Sequence, residues 1–376
     1  MNSVKILHCA DLHIGAAESF LNERAESRRA ETLITFENII KAAKQNDVDI
    51  MLIAGDLFNS NNIEKSFINR VFDCMASIPD VKIVIAAGNH DPLSFNSPYK
   101  TNALPNNVFV LDTKDCFVEF ADLNTRVYGK SFKEVYMQGA SSFSIKPDAD
   151  FINLMCIHGE LRSDLGSDYN SITNSFIENC GMDYIALGHV HKRSDISKAG
   201  CTYFAYCGCP EGQGFDELGE KGVYVGDISK DGCNLKFIPT AKRMHIADKI
   251  DISGCDTAAE IADFIINEIK QEHGDNYSDN LYKIILTGAL NDGVDISIPE
   301  IASRLNSSLY FAKVKDKTEI NVDFDALSQE QSLKGIFVKK MLEKINSADI
   351  AQKEILKSAL NIGLKAFTAE VNYDED

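Results

Sequence analysis

The sequence lacks the long apolar runs that would place it in a membrane. None of its apolar stretches reaches the roughly 20 residues that a membrane-spanning helix needs. Met1 leads directly into an apolar strand pattern, so we expect no signal peptide and no membrane association. With 376 residues and 44% hydrophobic content, the chain is typical of a globular protein that can hold two domains and a sizeable core.

Paired cysteines are also lacking, although the chain has ten cysteines. There is no C-x-x-C pair. Cys207 and Cys209 come closest, and no second pair completes the four ligands of a structural zinc site. Cys9 and Cys156 lie inside apolar strand patterns, where cysteine is typical as a small buried residue. We therefore predict reduced thiols and a cytoplasmic protein.

Positive charge is scarce, because 38 lysines and arginines stand against 56 aspartates and glutamates, a net charge of −18. Taken alone, this balance argues against a nucleic-acid partner. Bound divalent cations would, however, add positive charge where a phosphate would sit. The charge therefore argues only against tight DNA binding by this chain alone.

The first 240 residues alternate strand and helix patterns. Short apolar runs predict strands buried on both faces at 4–10, 50–54, 83–87, 108–111, 152–157 and 184–187. Amphipathic stretches at 24–45 and 64–76 predict helices between the first three strands. This alternation predicts an α/β sandwich with helices outside. Three further strands with glycine-rich turns predict a returning sheet over 203–206, 222–228 and 235–239.

The remaining sequence predicts a small α+β unit followed by two helices. The unit consists of a helix at 257–272, a strand at 282–287, a short helix opened by Pro299 and a strand at 309–314. Ser328 and Ser347 are the predicted caps of the two helices that follow. We predict three domains, 1–243, 244–325 and 326–376. The last can be a hairpin folded on its own domain or a docking element for a partner.

Five short polar motifs follow apolar strand patterns, and they hold five of the eight histidines. They are Asp11-Leu12-His13, Gly55-Asp56, Gly88-Asn89-His90-Asp91, His158-Gly159-Glu160 and Gly188-His189-Val190-His191. Because an open α/β sheet binds ligands beyond the carboxyl ends of its strands, the motifs can converge on one spot. His8 precedes the end of its strand, so we interpret it as structural.

Carboxylate, amide and imidazole side chains in such a cluster suit Mn²⁺, Fe²⁺ or Zn²⁺, and they predict a two-metal hydrolase. Two ions about 3.5–4 Å apart need a bridging carboxylate, and Asp56 at its strand end is the candidate. His90 follows the ligand candidate Asn89 and is placed to act as a general acid, which Asp91 could orient. His189 and His191 are two residues apart, so their loop must turn for each to bind a different ion.

At these residues the chain resembles the calcineurin-like metallophosphoesterase superfamily. It is most similar to the DNA-repair exonuclease branch, the SbcD-type nuclease subunits, in residues 7–13, 55–58, 186–193 and 210–222. The resemblance implies an α/β fold, a four-layer metallophosphoesterase sandwich of two mixed β-sheets flanked by helices. After about residue 240 only the layout matches, with a small α+β capping domain and C-terminal helices.

The resemblance also implies residue roles. One ion would be held by Asp11, His13, Asp56 and His191, and the other by Asp56, Asn89, His158 and His189. His90 would be the catalytic acid, and the two divalent ions are expected to be Mn²⁺. The implied partners are DNA and an SbcC-type ABC ATPase with a long coiled coil, docked through the C-terminal helices. A homodimer through helices around 58–76 is implied as well.

One position departs from that branch. Many of these nucleases have a histidine after Asp-Leu-Phe that helps to seat the substrate phosphate, and here that substrate-binding position is Asn59. Asparagine can donate a hydrogen bond but carries no charge. Three hypotheses therefore stay open. They are a Mn-dependent DNA exonuclease or endonuclease working with the ATPase in double-strand break repair, a phosphodiesterase or phosphatase acting on a small molecule or cyclic nucleotide, and an inactive scaffold.

Overall fold

The computed structural model describes residues 3–112, 117–137, 147–163, 166–291, 294, 296–321 and 323–367. The chain divides into two compact units, Met1–Met244 and His245–Asp376. The finer division at 325 and 326 stays a prediction. Within the described ranges, no helix is both long enough and apolar enough to cross a membrane.

The first unit alternates strands and helices as far as its fourth strand and consists mainly of strands after it. In chain order its elements are β1 Ser3–Cys9, α1 Ala25–Gln45, β2 Ile50–Ile53, α2 Lys65–Ala76, β3 Lys82–Ile85, α3 Pro98–Thr101, β4 Val108–Val110, β5 Phe117–Phe120, β6 Thr125–Lys130, β7 Ile152–His158, β8 Glu160–Leu161, β9 Ser171–Ile172, α4 Asn174–Asn179, β10 Tyr184–Gly188, β11 Ser197–Ala199, β12 Thr202–Tyr206, β13 Gly222–Ser229 and β14 Gly232–Pro239.

Two six-stranded mixed sheets form the centre of this unit. The first has the order β14-β13-β1-β2-β3-β4, parallel from β1 to β4 and antiparallel at β13 and β14. The second has the order β11-β12-β10-β7-β6-β5, with a parallel centre and antiparallel edges at β11 and β5. The single returning sheet predicted for 202–239 is wrong, because β12 joins the second sheet whereas β13 and β14 join the first.

The core lies in three layers around these sheets. Alternate residues of a strand face opposite sides, so Ile6 packs with Leu154 between the two sheets, whereas its neighbour Leu7 packs toward α1 and α2. On the outer face of the second sheet, Ile185 packs with Ile177 of α4. The order helix, sheet, sheet, helix confirms the predicted α/β sandwich of two mixed sheets.

The second unit contains a three-stranded parallel sheet and several helices. Its elements are β15 His245–Asp251, α5 Ala258–His273, β16 Leu281–Thr287, β17 Ala289–Asn291, α6 Ile298–Ser308, β18 Phe311–Asp316, β19 Glu319–Asn321, α7 Phe324–Ser328, α8 Leu333–Ser347 and α9 Ile350–Lys365. Strands β15, β16 and β18 form the sheet, and β17 pairs with β19. Helices α8 and α9 pack on each other around Val338 and Leu364, which are fully buried.

Both predicted caps of the last two helices are wrong. The hydroxyl of Ser332, not Ser328, accepts the hydrogen bond from the first turn of α8. Helix α9 begins after Asp349, whose carboxylate accepts from Gln352 N at 2.8 Å, whereas Ser347 ends α8. Serine and aspartate are equally good caps, so several neighbouring candidates left the sequence ambiguous by two to four residues.

Candidate metal centre

The ends of β1 and β2 continue to pair after the strands stop. Asp11 N donates to Gly55 O at 3.0 Å, and His13 N donates to Asp56 O at 2.9 Å. Both segments follow parallel neighbours of one sheet, so their side chains emerge at the same edge. The motif 88–91 follows the next parallel strand, β3, and the two remaining motifs follow β7 and β10 of the second sheet.

The backbone here adopts conformations that non-glycine residues avoid. Four of the eight non-glycine residues with positive φ in the described part of the chain are Asp11, His13, Asp56 and His189, with φ of 54°, 45°, 51° and 98°. Such strain costs on the order of 1–3 kcal/mol per residue, and it concentrates at functional sites. The turn at His189 redirects the chain before His191, as the spacing of the two histidines required.

Asp56 lies between histidines on two sides. Its Oδ2 is 3.3 Å from His158 Nε2 and 3.7 Å from His13 Nε2, while its Oδ1 accepts a hydrogen bond from His90 N at 2.8 Å. Burial disfavours the charged carboxylate, but the histidines outweigh that effect and hold the pKa of Asp56 well below its usual value. Asp56 is therefore a permanent anion facing two groups of ligand atoms.

His158 is fixed by one hydrogen bond on each ring nitrogen. Its Nδ1 lies 2.9 Å from Ala54 O, and since a carbonyl only accepts, Nδ1 carries the proton. Its Nε2 lies 2.9 Å from Asn89 Oδ1 and faces Asp56. Burial alone would lower the pKa of His158, but the Asp56 carboxylate raises it to about 9. The two hydrogen bonds orient the ring so that its Nε2 lies against the carboxylate of Asp56.

His189 and His191 reach the cluster from the end of β10. The backbone N–H of His189 donates to both carboxylate oxygens of Asp11, at 2.9 and 3.1 Å, and its ring stacks on Tyr169 with 5.0 Å between centroids. His191 Nε2 lies 3.1 Å from His13 Nε2. Burial lowers the pKa of His189 to about 4 and that of His13 to about 3, which keeps both rings in the neutral form that binds metals.

These side chains form two overlapping groups that could each hold an ion. Within each group the ligand atoms lie within 4.8 Å of one another, and the groups are Asp11, His13 and His191, and Asp11, Asp56 and His158. Asp11 is fully buried, and burial raises the pKa of its carboxyl group to about 6, although His158 lies 3.8 Å away. Buried carboxylates and neutral imidazoles together are the donor set of a divalent transition metal.

His90 is exposed beside this cluster, and Asp91 does not orient it. The Asp91 carboxylate accepts hydrogen bonds from Gly88 N, Leu57 N, Phe58 N and Tyr99 OH. The Nδ1 of His90 instead lies 3.1 Å from the backbone oxygen of Asn59. The predicted orienting role of Asp91 is wrong, because this carboxylate is fully buried and braces the loop after β2.

Asn59 therefore contacts His90 through its main chain. Its carbonyl accepts from His90 Nδ1, and its N–H donates to Ile14 O at 3.1 Å. Asn59 is half-buried, and the contact of its side chain with a substrate phosphate stays a prediction. A backbone contact of this kind leaves no trace in residue type, so the sequence could not predict it.

Glu217 is a site residue that the sequence analysis did not single out. Its carboxylate accepts from Nδ1 of His191 and from Gln213 N. Burial would raise its pKa, but the His191 hydrogen bond dominates and lowers it to about 2. The same contact raises the pKa of His191. The signal was the stretch 210–222, which carries the family resemblance and holds Glu217.

Glycine is required where β2 and β3 end. Gly55 has φ of 91°, and a Cβ there would lie 2.3 Å from Nδ1 of His158. A Cβ on Gly88 would lie 2.2 Å from Oδ1 of Asp56. Both distances are far below van der Waals contact, so these glycines allow the ligand candidates to approach the backbone.

An α/β sandwich whose strand ends bring together buried carboxylates, an amide and imidazoles has the architecture of a metallohydrolase. A profile of the family described as calcineurin-like phosphoesterase matches residues 4–193, half of the chain. The chain belongs to this family.

Three curated relatives show the range of similarity. The chain is 30% identical over 252 residues to the uncharacterized metallophosphoesterase YhaO of Bacillus subtilis (strain 168), covering 63% of this chain and 60% of the relative. It is 25% identical over 240 residues to the DNA double-strand break repair protein Mre11 of Methanopyrus kandleri, and the match covers 59% of this chain and 52% of the relative. It is 27% identical over 264 residues to the SbcD component of the SbcCD nuclease of Escherichia coli (strain K12), and the match covers 59% of this chain and 64% of the relative. The chain thus spans between about half and two thirds of the length of these relatives.

Proposed function

We propose that this chain is a metal-dependent phosphodiesterase that cleaves DNA as an exonuclease or endonuclease. The observation that carries the proposal is the pair of overlapping donor groups around the buried carboxylates. The expected ions are two Mn²⁺, one held by Asp11, His13, Asp56 and His191, the other by Asp56, Asn89, His158 and His189. Asp56 would bridge them, since it already faces His13 and His158 from one position.

The residues of this chain supply orientation and a proton. Two divalent ions bound in the centre would stabilise charge on the phosphate and activate water for attack. The His158 ring is held by Ala54 O, which leaves Nε2 as the ligand atom. The Asn59 carbonyl holds His90 by Nδ1, so Nε2 is the ring nitrogen that would donate a proton to the leaving oxygen. Glu217 fixes His191 in the same way through Nδ1.

The names of two relatives support the proposal, since one is a DNA double-strand break repair protein and the other is a subunit of the SbcCD nuclease. The proposed role is double-strand break repair together with an SbcC-type ABC ATPase. We place the protein in the cytoplasm, in keeping with the absence of disulfides among its nine described cysteines. The proposal includes docking of the ATPase to the C-terminal helices. It also includes a homodimer formed through the region 58–76. There α2 buries Phe67 and Val71 and leaves its polar face exposed.

A second candidate is a phosphodiesterase or phosphatase that acts on a small molecule or a cyclic nucleotide. Two observations favour it. The net charge of −18 repels DNA, and the position of the phosphate-seating histidine is the uncharged Asn59. The ligand set is the same, so only substrate tests separate the two candidates.

The test is to incubate the protein with Mn²⁺ and end-labelled duplex or single-stranded DNA, beside His90→Ala. We expect the variant to keep its metal content and to lose turnover by roughly 10²–10⁴-fold. His273→Ala, in the second unit, is the control histidine and should not change turnover. If the wild type hydrolyses a small chromogenic diester but no DNA, the second candidate replaces the first. Unchanged turnover in His90→Ala would remove His90 from the mechanism.

A further inference from the structure

A cavity of about 300 Å³ lies beside the metal centre, and nothing described so far explains it. His191 belongs to both, because its Nε2 faces His13 while the residue also lines the cavity. The other walls come from the segment after His191, the loop 207–209, the loop 218–222 and the ring of Phe237 on β14. We call it the basic cavity.

The charged lining is mainly positive in a strongly acidic protein. Lys192, Arg193 and Lys221 line the cavity together with one carboxylate, Glu220. Glu217 is close by, but its oxygens already accept from His191 and Gln213. The cavity therefore concentrates positive charge next to the metal centre, where the net charge of −18 would otherwise repel a polyanion.

Arg193 is positioned without a carboxylate partner. Its guanidinium lies over the Phe237 ring, 3.7 Å from the centroid. At least seven other arginines form ion pairs, whereas Arg193 forms none with any residue that the structure describes. A guanidinium stacked by its face keeps its N–H edge available, and this edge matches two oxygens of a phosphate.

The backbone around Arg193 is held in place by Gly208. Gly208 has φ of 73°, and a Cβ there would lie 2.7 Å from Arg193 N and 2.8 Å from His191 O. The loop 207–209 therefore packs directly against the chain that carries both residues. This contact fixes the cavity wall relative to the metal ligand candidate, as a pre-organised binding site requires.

We propose that the basic cavity binds a backbone phosphate of a DNA strand, next to the phosphate that is cleaved at the metal centre. The inference rests on the proposed nuclease function and adds a substrate determinant to it. Phosphates follow one another along a strand, so a strand held at the metal centre brings the next phosphate to a neighbouring site. A small diester has no second phosphate, so this contact would favour DNA over small substrates independently of base sequence.

The experiment measures oligonucleotide affinity by fluorescence anisotropy and hydrolysis of the same oligonucleotide and of a small chromogenic diester, all with Mn²⁺. The variants are Arg193→Gln and Lys221→Gln, with Arg193→Lys to restore the charge without the planar fork. Lys198→Gln is the matched control, because Lys198 is an exposed cation 4.5 Å from the centroid of the Tyr203 ring outside the cavity. Thermal unfolding midpoints check that each variant is folded.

We expect Arg193→Gln and Lys221→Gln each to weaken single-strand binding by about tenfold, as loss of a charged hydrogen bond does. Each should also reduce the slope of log K against log[salt] by about 0.7, which is the contribution of one phosphate contact on a single strand. The ratio of kcat/KM for the oligonucleotide to that for the small diester should fall in parallel, and Arg193→Lys should recover part of it. If the cavity variants match Lys198→Gln in all these measurements, the cavity proposal is overturned. DNA cleavage by the wild type would still support the proposed nuclease function in that case. A wild type that neither binds nor cleaves DNA would overturn both.

Discussion

Asp56 faces His13 on one side and His158 on the other, so a change of one atom there tests the two-metal arrangement. Asp56→Asn keeps the shape of the side chain but removes the negative charge between His13 and His158. We expect Mn²⁺ stoichiometry to fall at both positions and turnover to be lost, because a bridging ligand serves both ions. Bound metal is measured by elemental analysis after gel filtration.

The control for that change is Asp47→Asn. Asp47 also has a positive φ, 50°, but is exposed and outside the metal centre. The Asp47→Asn variant should retain its full metal content. Two bound Mn²⁺ in Asp56→Asn would show that Asp56 is not the bridge.

Glu217 provides a second test on a single residue, since its carboxylate accepts a hydrogen bond from the ring of His191. A carboxylate that accepts from a ligating imidazole fixes the ring and makes its other nitrogen a stronger donor. Glu217→Gln should therefore lower Mn²⁺ affinity or turnover by about 10–100-fold. A metal titration followed by diester hydrolysis measures both.

Its neighbour supplies the comparison. Asp216 is exposed, so Asp216→Asn removes the same charge one residue away without the histidine contact. If the two variants titrate alike, Glu217 acts only through its charge and not by orienting His191.

Residue types predicted which side chains lie together at the strand ends better than they predicted the contacts that support these side chains. Aspartate, asparagine and histidine at strand ends stand out in the sequence because few other functions need them there. The contact of His90 with the Asn59 carbonyl does not stand out, because any residue has that carbonyl. The buried role of Asp91 was missed because an aspartate beside a histidine looks like a partner in sequence, whereas the turn aims it at the loop after β2.

Helix α1 is joined to the loop after β12 by a buried ionic cluster. Arg28 is almost fully buried, and its guanidinium lies 2.7 Å from Glu18, 2.6 Å from Glu211 and 3.2 Å from Glu31. Glu211 also accepts from Lys242 N at 2.7 Å. One side chain thus connects the start of the unit with the stretch 210–222 that carries Glu217.

Removing Arg28 would take the guanidinium away from the buried carboxylates of Glu18 and Glu211, whereas Glu31 would keep its ion pair with Arg243. Arg28→Ala should lower the free energy of unfolding by about 3–5 kcal/mol, the usual result of breaking a buried pair from one side. Urea denaturation measures it. Arg70→Ala breaks the exposed ion pair with Glu37 and should change stability little. Equal midpoints for the two variants would contradict the structural role of the cluster.

Strands were predictable where their residues form an unbroken apolar run. Strand β2 is buried at every position, and its run Ile50–Ile53 was predicted to within one residue. Strand β6, Thr125–Lys130, was missed because it mixes Arg126, Gly129 and Lys130 with apolar residues. The sequence also could not decide which sheet β13 joins, since pairing with β1 depends on contacts distant in the chain.

At the scale of the whole molecule, the acidic net charge and the exposed apolar residues of the last helices both favour a protein partner. A chain with net charge −18 gains DNA affinity most readily from a bound partner. Leu333 and Ile336 on α8 are 74% and 50% exposed, and Ile355 on α9 is 70% exposed. The inner sides of the same helices are already packed around Val338 and Leu364. Deleting the helices would therefore damage the second unit as well as any docking surface.

Point substitutions separate the two effects. Under the proposed docking of a coiled-coil ABC ATPase, Leu333→Ser with Ile355→Ser should reduce co-purification of that ATPase by at least about tenfold, because each buried leucine or isoleucine contributes about 1.5–3 kcal/mol to an interface. Hydrolysis of a small diester should not change, since both residues lie outside the unit that holds the metal centre. Ile34→Ser, at an exposed position of α1, is the matched control. Full ATPase recovery with the double variant would show that the docking surface lies elsewhere on the chain and would leave these helices with a purely structural role in their own unit.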